Sequence, residues 1–117
     1  MQKILIAEDD PNMISVLSEI LRNENRQIIC ANSAERALEL VRQEAPDLVL
    51  ADIEMPEGKP RGLELLRQVK EHNRSIPVVM ITGNGTKERV VDALRMGAED
   101  FIEKPFRIDE LDRKSVV

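Results

Sequence analysis

Short runs of consecutive apolar residues alternate along the chain with longer stretches in which apolar positions recur every three or four residues. The first pattern is that of strands buried on both faces, the second that of amphipathic helices. Residues 3–7 read as strand one, which ends in Glu8-Asp9-Asp10; Asp10 and Pro11 supply a cap and a first turn for helix one. In that helix Met13, Val16, Leu17, Ile20 and Leu21 form one apolar stripe. Residues 27–31 are strand two, and Cys30 within it reads as a buried structural thiol. Ser33 caps a second helix that turns Ala37, Leu38, Leu40 and Val41 to the core and stops at Ala45-Pro46.

Strand three is the most informative stretch. Leu48-Val49-Leu50-Ala51 is apolar without interruption and ends abruptly on the carboxylate of Asp52. The two prolines and two glycines of residues 55–62 forbid regular structure there. Leu63, Leu65, Leu66 and Val69 then begin helix three, which closes near His72, a solvated residue among charges. Residues 77–81 are strand four, leading into Thr82-Gly83-Asn84-Gly85. Thr86 caps helix four over residues 87–96, and Gly97 suits a left-handed stop. Asp100–Glu103 is strand five, followed by Lys104-Pro105-Phe106. A short last helix starts near Ile108 with Leu111 on its stripe, which Asp112 and Ser115 interrupt.

Strands alternating with helices predict a parallel sheet covered on both faces, with every strand's C-terminal end on one edge. Ligands bind along that edge in such sheets. Glu8, Asp9, Asp52, Thr82 and Lys104 all stand at strand ends. An assumed strand order of 2-1-3-4-5, which periodicity does not fix, brings Glu8, Asp9 and Asp52 together at the switch point. Singly each has a plainer role: Asp52 as a turn former, Asp9 as a helix cap, Thr82 as a turn residue, Lys104 as a solvated charge.

Composition narrows the function. A chain of 117 residues, 42% hydrophobic and 33% charged, is one domain over 1–117. A formal charge of -5 disfavours direct nucleic-acid binding. No apolar run approaches membrane-span length and the first residues lack a signal-peptide layout, so the expectation is a cytoplasmic domain with no membrane contact. Two phenylalanines and no Tyr or Trp leave nothing to sandwich a flavin, which counts against an electron carrier of the same architecture.

Three crowded carboxylates need a shared proton or a cation, and an all-oxygen ligand set selects a hard ion such as Mg2+. With Mg2+, the Lys104 ammonium and the Thr82 hydroxyl around it, a phosphoryl group could be received by Asp52 as nucleophile.

The motifs Ile4-Leu5-Ile6-Ala7-Glu8-Asp9, Asp52-Ile53-Glu54-Met55-Pro56, Ile81-Thr82-Gly83 and Glu103-Lys104-Pro105-Phe106 resemble, over essentially the whole chain, the receiver domain of two-component response regulators. The pieces from Met80 to Thr86 and from Gly97 to Phe106 look most like receivers that precede AAA+ transcriptional activator or DNA-binding output domains. The resemblance implies an α/β flavodoxin-like (βα)5 three-layer sandwich with a parallel five-stranded sheet of order 2-1-3-4-5. It makes Asp52 the phosphoacceptor, and Asp9, Asp52 and the Glu54 backbone carbonyl Mg2+ ligands, with Glu8 acting through water. Thr82 and Lys104 would bind phosphoryl oxygens, Phe101 would be the aromatic switch, and Gly83 and Asn84 would border the site. It also implies a cis bond before Pro105. Partners would be a sensor histidine kinase or phosphotransfer protein, an output domain or downstream protein, and a second copy in a phosphorylation-linked homodimer. Such a domain is a signalling module that catalyses its own phosphorylation and dephosphorylation, and is otherwise no enzyme.

This chain departs from the pattern in two places. Gly62 follows Pro56 by six residues, a lengthened loop whose Lys59 or Arg61 could pair with Glu54; Phe101 replaces the commoner tyrosine. Two rivals share parts of the chemistry. A haloacid dehalogenase-type phosphohydrolase needs a second aspartate where Glu54 stands. A degenerate receiver acting only as a binding module would not need the intact Glu8, Asp9, Asp52, Thr82 and Lys104.

Overall fold

The computed structural model describes residues 1–56, 61–83 and 87–115. Along them run β1 (Gln2–Ala7), α1 (Pro11–Leu21), β2 (Arg26–Ala31), α2 (Ala34–Glu44), β3 (Leu48–Asp52), α3 (Arg61–His72), β4 (Val78–Thr82), α4 (Lys87–Arg95), β5 (Asp100–Glu103) and α5 (Ile108–Lys114). The strands form one parallel sheet of order β2-β1-β3-β4-β5. That is the expected order, and the switch point falls between β1 and β3.

β3 shows how the apolar runs are used. All five of its residues are buried, as are all five of β4. Its side chains alternate between two cores: Val49 and Ala51 pack with α2, α3 and α4, while Leu48 and Leu50 pack with α1 and α5. Burying both faces is what a crossover on each side of the sheet requires. Asp10 and Ser33 are the caps read from sequence, accepting from the amides of Asn12 and Arg36. Gly97 takes the left-handed conformation that ends α4, with φ of 105°.

Several expectations fail for physical reasons. Cys30 is exposed, because β2 is an edge strand whose outer positions are only partly covered; its Sγ lies 3.5 Å from Ser18 Oγ. Val16 sits on the flank of α1 at 46% exposure, and Ser18 is buried with Leu17 and Leu21. Arg61 and Gly62, assigned to the irregular turn, open α3. Ile108 is exposed, whereas Ser115 is fully buried and satisfies its hydroxyl by donating to the Leu111 carbonyl at 2.7 Å. A local acceptor makes a serine tolerable in a core. Asp112 turns outward to Arg26. Thr86, the expected cap of α4, lies outside the described residues.

Candidate functional site

At the C-terminal edge of the sheet, β1 and β3 deliver Glu8, Asp9 and Asp52. One carboxylate oxygen from each lies within 4.8 Å of the others. Glu8 and Asp52 are buried and Asp9 is more exposed. Both buried acidic residues are held by hydrogen bonds to the backbone. The Glu8 amide donates to the Ala31 carbonyl, the Asp10 amide donates to Glu8 Oε1 at 3.2 Å, and the Glu54 amide donates to Asp52 Oδ1 at 3.0 Å.

Lys104, just past β5, supplies the cation. Its Nζ lies 3.0 Å from Asp52 Oδ2 and 3.3 Å from Glu8 Oε2. The Lys104 amide donates to the Thr82 carbonyl at 2.8 Å, which fixes where the side chain starts, and the Lys104-Pro105 bond is cis as expected. Met55-Pro56 is cis as well, which the sequence reading did not anticipate.

The charges shift one another. Burial is the main cause that raises the Glu8 carboxyl from 4.5 to about 7, followed by its hydrogen bond and repulsion with Asp52. Lys104 and the Asp10 amide oppose that rise. Burial alone would lower the Lys104 ammonium, but its contacts with Asp52 and Glu8 outweigh this and hold it above the usual lysine value. The crowding of negative charge in this pocket thus contributes to the raised Glu8 carboxyl and accounts for the raised Lys104 ammonium.

A small cavity of about 180 Å³ opens over this cluster, lined by Glu8, Asp9, Asp10, Asp52, Glu54, Gly83 and Lys104. Glu8, Asp9, Asp52 and Lys104 are thus brought together as expected, and Gly83 borders them. Thr82 ends β4, the neighbour of β3, and is buried at 1% exposure without lining the cavity. Phe101 is half-buried on β5, its ring 5.5 Å from Lys114 Nζ, and does not line the cavity. Asn84 and Lys59 lie outside the described residues. Arg61 pairs with Glu35 of α2 instead of Glu54.

Two further features were missed. The Glu54 carboxylate is paired with Arg89 of α4, a contact between residues 35 apart that local spacing does not signal. Gly62 stands so close to the end of β3 that a Cβ there would lie 1.9 Å from the Asp52 carbonyl oxygen. The glycine was legible, but the reason for it needs the packing of α3 on β3.

The family model for the response regulator receiver domain matches residues 4–115. The chain belongs to the receiver family. Over 92% of its length this receiver is 40% identical to the nitrogen assimilation regulatory protein NtrX of Azorhizobium caulinodans, of which it covers 24%. It is 38% identical, over 92% of its length, to the transcriptional regulatory protein ZraR of Escherichia coli, again covering 24% of that protein. Among solved structures, a CheY-like response regulator receiver domain from Methanospirillum hungatei superposes with a TM-score of 0.90 at 30% identity, covering 97% of this receiver and 90% of that chain. The receiver therefore spans about a quarter of the length of these curated relatives. As a member of this family it is a phosphorylation-dependent signalling switch.

Proposed function

We propose that residues 1–117 act as a single receiver unit in which Asp52 accepts a phosphoryl group from a phosphohistidine on a sensor histidine kinase or phosphotransfer protein. The observation that carries this reading is the Lys104 ammonium held 3.0 Å from Asp52 Oδ2, within a buried carboxylate cluster at a strand end. Glu8, Asp9 and Asp52 offer hard oxygen donors close enough to share one ion, which suits Mg2+ held by Asp9, Asp52 and the Glu54 carbonyl, with Glu8 through water. When bound, that ion supplies charge neutralisation for phosphoryl oxygens.

The chain's own groups do the rest. Asp52 attacks through a carboxylate oxygen, Lys104 receives one phosphoryl oxygen and Thr82, next along the edge, another. Hydrolysis of the acyl phosphate resets the domain. A movement of Thr82 toward the phosphoryl group would free room for Phe101 to turn inward and remodel the face formed by α4, β5 and α5. That face would then control an output domain, a downstream protein or a second copy of the domain. The likeness to ZraR, a transcriptional regulatory protein, supports a role in transcription control, which the domain would exercise in the cytoplasm.

The test is incorporation of phosphate from acetyl phosphate. Label should require a divalent cation, disappear on chelation and in Asp52→Asn, and fail in Asp9→Ala. Label that survives Asp52→Asn, or that forms in chelator, would falsify the assignment.

A further inference from the structure

The N-terminal edge of the sheet, opposite the acceptor, carries a second opening. A cavity of about 700 Å³ lies there between the C-terminal ends of α3 and α4 and the start of β5. Its lining is charged, and the charges do not cancel. Glu71 accepts from Arg67 Nη1 at 2.6 Å, and Glu99 accepts from Lys70 Nζ at 2.9 Å and from the Val78 amide. Both carboxylates are thereby matched. Arg74 and Arg95 also line the cavity, and among the described residues neither guanidinium makes a hydrogen bond or an ion pair. Two exposed cations are thus left over on a chain whose formal charge is -5. A basic group in the last turn of a helix offsets the helix dipole, which accounts for Arg95 in α4 but leaves its N–H donors open. Arg74 stands beyond the end of α3.

The residues narrow what such a site can take. No Phe, Tyr or Trp lines the cavity to stack on a base, and two cations on an acidic chain fall short of the basic face that a nucleic acid needs. Carboxylates fit better, because a guanidinium presents paired N–H donors that match the two oxygens of a carboxylate. In an extended peptide alternate side chains share one face roughly 7 Å apart, so one acidic segment offers a carboxylate to each arginine. We propose that this cavity is a docking site for a short acidic segment of a partner protein, whose carboxylates pair with Arg74 and Arg95. The rest of the chain is acidic and repels such a segment, so the cavity also sets where it lands. The acceptor pocket, at the opposite edge, stays open, and the inference is independent of how Asp52 is used.

The experiment follows amide spectra of the 117-residue chain as hexaglutamate, capped at both ends, is added at low salt. Residues 70–74 and 95–99 should shift and saturate together. Because both guanidiniums are exposed, Arg74→Gln and Arg95→Gln should each weaken binding only about threefold, and the double variant about tenfold. Arg74→Lys/Arg95→Lys, which keeps the charge and loses the paired donors, should fall between the parent and that double variant. A control that removes the same charge away from the cavity, Arg22→Gln/Arg42→Gln, should bind as the parent does. Shifts that spread over the whole chain or never saturate, equal weakening by the control, or parental affinity in Arg74→Gln/Arg95→Gln would overturn the proposal. So would ADP or an oligothymidylate that displaces hexaglutamate from the same residues at a lower concentration, which would assign the cavity to a nucleotide or a nucleic acid instead.

Discussion

The two ends of the sheet spend their charges differently. At the N-terminal end, acidic and basic side chains are committed to backbone. Asp47 accepts from the Lys3 amide at 2.7 Å, Lys3 Nζ donates to the Glu44 carbonyl, Glu99 accepts from the Val78 amide at 2.5 Å, and Lys70 donates to the Ile76 carbonyl. At the C-terminal end Glu8, Asp9 and Asp52 face one another, with Lys104 bridging two of them. Carboxylates of the first kind tie chain segments together. Those of the second kind raise the energy of the native state unless a proton, an ammonium or a cation intervenes, and that unmet demand is what a ligand can exploit.

The contrast can be broken most severely at Gly62, where α3 leans on the Asp52 carbonyl. Gly62→Ala should destabilise the fold by about 3 kcal/mol or more, because the clash is with backbone that cannot rotate away. Gly83→Ala is the matched control: among the described residues its added methyl would meet only Lys104 Cδ, at 3.6 Å, and stability should change by less than about 0.5 kcal/mol. Chemical denaturation of both variants measures the difference, and equal midpoints would remove the argument for Gly62.

An intermediate effect is expected from pH at the acidic end. Glu8 keeps its proton in the folded protein up to about pH 7 but loses it near 4.5 when unfolded. Its contribution to stability is therefore full below the unfolded value and is lost as pH rises through the folded one. A divalent cation must displace the same proton, so affinity should fall below about pH 7, by up to about tenfold per unit. Calorimetric titration with Mg2+ at pH 6 and pH 8 tests this. Glu8→Gln should flatten the dependence, and an unchanged slope would locate the proton elsewhere.

The smallest effect belongs to the other end. Glu99→Ala removes acceptors for the Val78 amide and for Lys70 Nζ at 2.9 Å, and should cost about 1 kcal/mol in denaturant unfolding. Phosphate incorporation should be unaltered. A labelling defect in Glu99→Ala would show that the division between the two ends is too sharp.

Much of the acidic end was legible because strands end where their apolar runs end. The run from Leu48 to Ala51 delivers Asp52, and the runs before Glu8 and Thr82 do the same for those residues. Periodicity also located the helices, with Asp10 and Ser33 as caps. It could not give the strand order, which depends on crossovers between distant segments. Val16 and Cys30 were misjudged because a hydrophobic residue at the margin of a stripe or on an edge strand carries the same letter as one in the centre. Ser115 was misjudged in the opposite sense, since its acceptor is a carbonyl of its own helix. Arg89 gave no local signal at all.

The position of the acceptor strand has a kinetic consequence. β3 lies in the middle of the sheet, hydrogen-bonded to β1 on one side and β4 on the other, with every residue buried. Amide protons in such a strand exchange with solvent only when most of the molecule opens, whereas a helix anchored by one buried alanine can open alone. The carboxylate that takes the phosphoryl group would thus be carried on slowly exchanging backbone, and α4 on fast. Deuterium uptake would then report chemistry at Asp52 as altered protection tens of residues away, while the strand bearing the modified side chain stays silent.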